Sequence, residues 1–190
     1  TYAHLQTLDM AGDPPKSFSR PVEIDGQTVN AKFRTVAVRT GVFPAGRVYF
    51  CEHGTPELVW RPEWRAHSNG AHSLEAFLIA ASNPEEEAAR YGSLLNLPVA
   101  THPDGVAIDL TDSTLLFMGQ EQINARFGPL APTPSDAHPT FLALRLRTPY
   151  TAAQIGAEVA AIGGISTHKT SDALVVRVNE FDALMEFVSL

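Results

Sequence analysis

The chain has a single cysteine, Cys51, among 190 residues, so no intramolecular disulfide can form and a reducing, cytoplasmic setting is expected. Basic residues are also few: 14 Lys and Arg stand against 21 Asp and Glu, for a net charge of −7. Nucleic-acid backbones and anionic membrane surfaces are gripped by clustered cations. No basic run or basic amphipathic stretch occurs, so neither is expected as a partner. Long hydrophobic runs are missing as well. The longest are strand-sized, as from Leu115 to Met118, where a membrane span needs about 20 residues. There is no phosphate-binding glycine loop, zinc-type cysteine cluster or nucleophile elbow. Thr1 opens the chain without an initiator Met or a charged-then-apolar leader, which fits a processed chain or a piece of a longer one. What is present is a core-forming composition, 44 % hydrophobic and 18 % charged, too apolar for disorder.

Local patterns then divide the chain. Residues 1–20 are the least regular. Val22 and Ile24, then Asp25-Gly26, then Val29, Ala31 and Phe33 spell a hairpin, because Asp-Gly supplies the positive φ angles a tight turn requires. A third strand is expected from about Val48 to His53. Residues 54–70, with two prolines and a closing Asn69-Gly70, read as an ordered crossover loop tethered by Trp60 and Trp64.

From residue 71 the pattern becomes strand, helix, strands. Leu74 to Ala80 is a strand, and Asn83-Pro84-Glu85-Glu86-Glu87 reads as a cap, a first-position proline and acids in the first turn of a helix reaching about Asn96. Short strands follow near Val99, at Val106 to Leu110 and at Thr114 to Met118. After a proline-rich linker, Phe127 to Pro139, the series repeats. Phe141 to Arg147 is the strand, Thr148-Pro149 matches Asn83-Pro84, and the helix runs from about Thr151 to Ile162. Ile165-Ser166-Thr167-His168 matches Val99-Ala100-Thr101-His102. Asp172 to Val178 matches Asp104 to Leu110, and Leu184 to Phe187 lies over Thr114 to Phe117. The expected class is α+β: tandem β-α-β-β-β units forming a curved mixed sheet with helices outside. Residues 1–70 form a partial unit plus crossover loop, and 71–190 a pair, 71–128 with 139–190.

A tandem β-α-β-β-β unit resembles the vicinal oxygen chelate superfamily, which includes glyoxalase I, bleomycin-resistance proteins and extradiol dioxygenases. Upstream, the run from Tyr49 through Cys51, His53, Glu57 and Trp60 to Trp64, followed by His67 to Ala71, is similar to the signature of glyoxalase-like domain proteins, as is Phe18 to Val22. The resemblance implies a small-molecule enzyme of lyase, isomerase or dioxygenase type, or its C-terminal part, assisted by a divalent metal (Zn, Fe, Mn, Ni or Mg). The alternatives are a metal-free module that sequesters a small molecule and a structural dimerisation platform. By the same resemblance residues 1–60 look like the helix end and trailing strands of a unit whose first strand lies elsewhere. That implies a homodimer or an assembly with an N-terminal fragment.

Superfamily enzymes hold their metal with inward groups on first and last strands. Glu186 sits at such a position in the second unit, as a metal ligand or an ordinary polar strand residue. Its counterpart is Leu116, and Glu75 or Ala76 and Phe141 stand near the opening-strand positions, so the 71–190 pair is expected to be structural or a metal-free pocket. His53 is the stronger ligand candidate, with a hydrogen-bond anchor for Gly54-Thr55-Pro56 as the other reading. Its face also carries Tyr49 and Cys51 by the two-residue period. Cys51 is a substrate contact or a small buried hydrophobe. Glu57 is the candidate catalytic carboxylate, lining the site or pairing with Arg61. Trp60 and Trp64 stack on a planar substrate or tether their loop. His102 and His168, matched in the repeat, are expected to close turns, and His67 and His72 to lie at the surface.

Overall fold

The computed structural model describes residues 1–132 and 139–190, which form two compact units, Thr1–Arg65 and Ala66–Leu190. The interval 133–138 within the proline-rich linker lies outside the described residues. No helix among the described residues is long and apolar enough to cross a membrane.

Unit 1 opens with a short helix, α1 (Tyr2–Thr7), in the stretch where the sequence pattern is least regular, and continues as an antiparallel sheet of β1 (Lys16–Ile24), β2 (Gln27–Ala37) and β3 (Tyr49–His53). Asp25 and Gly26 take φ values of 49° and 75°, the conformation that lets a two-residue turn follow strand twist. Pro21 falls inside β1 opposite Asn30. It is tolerated there because β1 is an edge strand, so the missing N–H interrupts no second ladder. Buried Leu5, Ala31, Val36, Val38 and Phe43 make up a small core. After β3 the chain makes two 3-10 turns, Pro56–Leu58 and Pro62–Trp64, each opened by a proline whose fixed φ suits the first position.

Unit 2 is the tandem repeat. Its first copy is β4 (Ser73–Ala80), α2 (Pro84–Leu95), β5 (Ala100–His102), β6 (Gly105–Asp109) and β7 (Thr114–Met118). A further helix, α3 (Gln120–Phe127), and a 3-10 turn, Gly128–Leu130, precede the second copy: β8 (Thr140–Thr148), α4 (Ala152–Val159), β9 (Ile165–Lys169), β10 (Ala173–Val178) and β11 (Ala183–Ser189). The eight strands are ordered β5-β6-β7-β4-β8-β11-β10-β9, a palindrome in which each strand of one copy mirrors its counterpart. In each copy the first and last strands pair in parallel, and β4 and β8 join the copies antiparallel at the centre.

The helix starts follow from their caps. Asn83 accepts a hydrogen bond from the Glu86 N–H at 3.2 Å, and Thr151 and Gln154 form a reciprocal capping box. α2 ends on Asn96 in the left-handed conformation. Its buried Tyr91 packs at a tilt on Phe117, ring centres 5.3 Å apart, and α4 lays Ile155 on Leu174, Val176 and Phe187, so both helices cover the same face of the sheet.

The opposite face is filled from within the unit. Ile123 and Phe127 of α3, with Leu130, pack against Ala76, Leu78, Ala107, Leu116, Met118 and Val175. The sheet curls around them. Flat, the β5–β6 and β9–β10 turns would lie roughly 30 Å apart, six spacings of about 4.8 Å. Yet Asp104 of one turn and Asp172 of the other sit 3.8 Å and 3.1 Å from the same nitrogen, Arg126 Nη1. The β5–β6 turn is tight enough to need glycine. Gly105 has φ +142°, and a Cβ there would lie 2.2 Å from the Phe117 carbonyl oxygen.

Candidate functional site

Register determines which side chains of unit 1 meet. Phe18 lies opposite Phe33, and Phe33 opposite His53, so the three share one face across three strands. The Phe18 and Phe33 rings stack at 5.3 Å, and His53 meets the edge of Phe33 at 5.2 Å. Trp60, delivered by the first 3-10 turn, stacks on the other side of His53 at 5.6 Å and 16°. Arg20 lies 5.6 Å from the Phe18 centroid and ends the row with a cation. The result is a continuous line of rings, Phe18–Phe33–His53–Trp60, that leaves Trp60 61 % exposed. A depression of about 550 Å³ includes Phe18 and Phe33 but is lined otherwise by Ser17, Ser19, Lys32, Arg34, Glu52 and Gly54, and His53 and Trp60 are not among its lining residues.

His53 has one uncommon property. Its Nδ1 is buried without a hydrogen-bond partner in the structure, although an unmade bond of this kind costs about 1–3 kcal/mol. The Gly54 N–H donates to the Lys32 carbonyl at 2.8 Å, and the Lys32 N–H donates to Thr55 Oγ1 at 2.9 Å, so the turn after β3 is anchored without the imidazole. That removes the turn-anchor reading.

The remaining candidates fall as follows. Cys51 is exposed on β3 opposite Thr35, so it is not a buried hydrophobe. Glu57 is exposed in the first 3-10 turn. Arg61 does not pair with Glu57. It pairs with Glu63, two residues on, whose carboxyl is held below its usual range by a backbone hydrogen bond and then by the Arg61 bond. Arg61 also lies 5.7 Å from the Trp64 ring. Neither tryptophan is sunk in a core: Trp60 rests on His53 of β3, and Trp64, 47 % exposed, contacts Arg61 of its own loop. His67 and His72 are at the surface. His102 does close its turn, its Nδ1 accepting the Asp104 N–H at 3.1 Å.

In unit 2 Glu186 is fully buried and sits between two arginines. Its Oε1 accepts from Arg126 Nε at 2.5 Å and its Oε2 from Arg145 Nε at 2.6 Å. Arg145 Nη2 lies 3.6 Å from Asp104. Burial works against the Arg126 charge, but the Glu186 and Asp172 contacts prevail and its affinity for its proton rises. For Asp172 burial pushes upward, while the Arg126 charge and the bonds from Thr170 and Arg126 outweigh it and hold the carboxyl below its ordinary range. A divalent cation approaching Glu186 would meet two guanidinium groups already in place.

These arginines and α3 are the features that sequence reasoning missed. Gly119 and Gly128 flank α3, and Ile123 and Phe127 share its face at helical spacing, but no element is expected from the sequence between the strand ending at Met118 and the linker starting at Phe127. The matched Asp104 and Asp172 were the available hint of a shared partner.

Among the described residues no three His, Cys, Asp or Glu side chains converge into a metal site. Metal centres take three or four protein donors, and His53 supplies one. The described residues of this chain therefore do not by themselves make the divalent-metal centre implied by the superfamily resemblance.

A search of the curated proteins finds no match to the chain. Among solved structures, a hypothetical protein from Staphylococcus aureus aligns with a TM-score of 0.60 at 9 % identity, over 99 % of this chain and 60 % of that one. The chain thus spans less than two thirds of that structure's length. Methylmalonyl-CoA epimerase from Mycobacterium tuberculosis aligns at TM-score 0.46 and 12 % identity, over 65 % of this chain and 91 % of that one. A mutant of 4-hydroxymandelate synthase from Streptomyces coelicolor aligns at 0.39 and 9 %, over 99 % and 67 %. The glyoxalase-like domain family matches residues 1–95, half of the 190-residue chain and the part that holds the ring row, and the chain belongs to that family.

Proposed function

We propose that this chain is the ligand-facing part of a glyoxalase-like small-molecule protein, with the ring row of unit 1 as its binding surface. The observation that carries the reading is His53: a ring nitrogen without a partner, set between the edge of Phe33 and the face of Trp60. A planar, oxygenated molecule stacked against Trp60 gains aromatic contact, and a shift of the rings that opens the buried Nδ1 lets one of its oxygens satisfy that nitrogen. In this reading Trp60 and Trp64 are stacking surfaces, Cys51 a polar contact, and Glu57 the carboxylate available for proton transfer from the loop. Glu186 acts as an ion-pair anchor.

Two chemistries are compatible with that surface. Metal-assisted lyase, isomerase or dioxygenase chemistry would use His53 as a donor and needs further donors from beyond the described residues of this chain. Metal-free binding needs none, and the lack of a converging donor set among the described residues favours it. Both tryptophans of the protein lie in unit 1, so their fluorescence reports on that unit alone. Catechol serves as a planar probe with two adjacent oxygens. The expected result is saturable quenching that His53→Ala and Trp60→Ala each weaken at least about tenfold, the loss of roughly 1.4 kcal/mol. Equal affinity in His53→Ala would refute the site. An increase in catechol affinity on adding Mn²⁺ or Zn²⁺, lost in His53→Ala, would favour the metal-assisted form.

A further inference from the structure

Unit 1 holds a second cavity, of about 920 Å³, at the end of β2 away from the Asp25-Gly26 turn. It lies between residues 11–13, ahead of β1, and the connection from β2 to β3. None of Phe18, Phe33, His53 and Trp60 lines it, so it is distinct from the ring row.

Main-chain bonds hold its walls in place. The Val38 N–H donates to the Val48 carbonyl at 3.0 Å and closes the β2–β3 connection at its base. The Arg39 N–H donates to the Met10 carbonyl at 2.8 Å, and the Gly12 N–H to the Ala37 carbonyl at 3.0 Å, so residues 10–12 are tied to the same base. Phe43, in the middle of the connection, is buried and pins it to the core of the unit. Gly41 takes φ 88°, which a residue with a side chain rarely adopts. A cavity anchored in this way exists before any ligand arrives.

The lining divides into an apolar wall and two cations. Ala37, Val38, Phe43 and Pro44 form the wall, and Arg39 and Arg47 carry the charges. Arg39 is positioned by Asp9: its Nη2 donates to the Asp9 carbonyl at 2.5 Å and to Asp9 Oδ2 at 3.0 Å. Asp13, the carboxylate of the lining, is already engaged by Lys16 at 2.6 Å. Arg47 has no carboxylate partner among the described residues, and its guanidinium rests 5.5 Å from the Tyr49 ring centre. Three N–H groups beside it, those of Thr40, Gly41 and Arg47, donate to no main-chain carbonyl among the described residues. Unpaired guanidinium and amide donors at the rim of an apolar cavity suit an anion with an apolar body.

We propose that this cavity binds a small organic carboxylate, its charged end drawn to Arg47 and Arg39 and its apolar body laid on Val38, Phe43 and Pro44. The lining selects that class. An inorganic anion would leave the apolar wall wetted, and a neutral molecule would leave Arg47 unpaired. The proposal does not depend on the function assigned to the ring row.

Benzoate is the probe, with benzamide as its neutral isostere and inorganic phosphate as an anion without an apolar body. In the ¹⁵N-labelled chain, benzoate is expected to shift the amides of Gly41, Gly46 and Val48 saturably. Benzamide and phosphate should each bind at least about tenfold more weakly. Arg47→Gln keeps a hydrogen-bonding side chain and removes the charge. It should weaken benzoate at least about tenfold, the loss of one charge-assisted pair, while unchanged amide dispersion shows that the unit remains folded. Absence of a saturable benzoate shift at these amides, or equal benzoate affinity in Arg47→Gln, would overturn the proposal. So would benzamide or phosphate binding as tightly as benzoate, since the site would then read only shape or only charge.

Discussion

The two units use their sheet faces in different ways. Unit 2 has eight strands, and both faces are covered: α2 and α4 lie on one, and α3, with Arg126 and Leu130, fills the other. Unit 1 has three strands, keeps a row of four rings on one face and leaves its best-placed tryptophan 61 % exposed. The buried polar groups do not follow that division: Glu186 has both oxygens satisfied, yet buried side-chain atoms without a hydrogen-bond partner occur in both units, His53 Nδ1 in unit 1 and Glu87 Oε1, Arg126 Nη2 and Arg145 Nη2 in unit 2. What sets His53 apart is the exposed aromatic row around it.

A second comparison sits inside unit 2. The parallel pairs at its centre are Leu78 with Leu116 in one copy and Arg145 with Glu186 in the other. The apolar pair needs no partner. The charged pair requires Arg126 from α3, and that requirement ties the helix to the sheet and draws in Asp104 and Asp172.

The largest effect is expected there. Glu186→Ala removes the one fully buried partner of two buried guanidinium groups, leaving them the more exposed Asp104 and Asp172, and should lower unfolding stability by up to about 3–5 kcal/mol in a denaturant titration. Replacing Arg126, Arg145 and Glu186 together by Leu makes the second copy resemble the first and should recover most of that loss. If the single substitution is silent, the ion pairs do not anchor α3.

Acid should act on the same cluster. The Asp172 carboxyl is held below its ordinary value of 3.8, so the unfolded chain takes up the proton first as pH falls. Its stabilisation is complete above about pH 4 and disappears as pH drops through the folded-state value. Asp172 is 55 % exposed, so the difference between the wild type and Asp172→Asn should stay under about 1 kcal/mol, present at pH 6 and absent near pH 2.

Glu87 is the opposite case. It is buried in α2, and burial first, then Glu86, raises its carboxyl above 4.5 against the pull of Arg90. Here the folded state binds the proton more tightly, so ionisation costs stability as pH rises through that range. Glu87→Gln should be more stable than wild type at pH 7, by less than about 1 kcal/mol, with the gain gone at pH 4. His53→Ala should move stability least, within about 0.5 kcal/mol, while removing probe binding. A large stability loss would make His53 a core residue and erase the contrast between the units.

Much of this architecture can be read from short-range chemistry. Asp25-Gly26 marks its hairpin, Asn83-Pro84 caps and opens α2, and the matched runs give the repeat, although Thr148-Pro149 is not the second cap: Thr148 ends β8 and Thr151 caps α4. Each of these signals lies within a few residues of the element it specifies. The cluster that anchors unit 2 does not. Arg145 and Glu186 are 41 residues apart and Arg126 and Glu186 are 60 apart, and only strand register and the docking of α3 bring them together. The ring row was partly legible, since the two-residue period puts Cys51 and His53 on one face. The addition of Phe18 and Phe33 depends on cross-strand register, and that of Trp60 on a 3-10 turn, and no local pattern fixes either.

Amide chemical shifts of the ¹⁵N-labelled chain during a catechol titration test the central division most directly. The account predicts perturbations that cluster at Phe18, Phe33, His53 and Trp60 and leave Arg126, Arg145 and Glu186 unmoved. Perturbations centred on Arg126, Arg145 and Glu186, with the ring row silent, would contradict it and place the binding surface in unit 2.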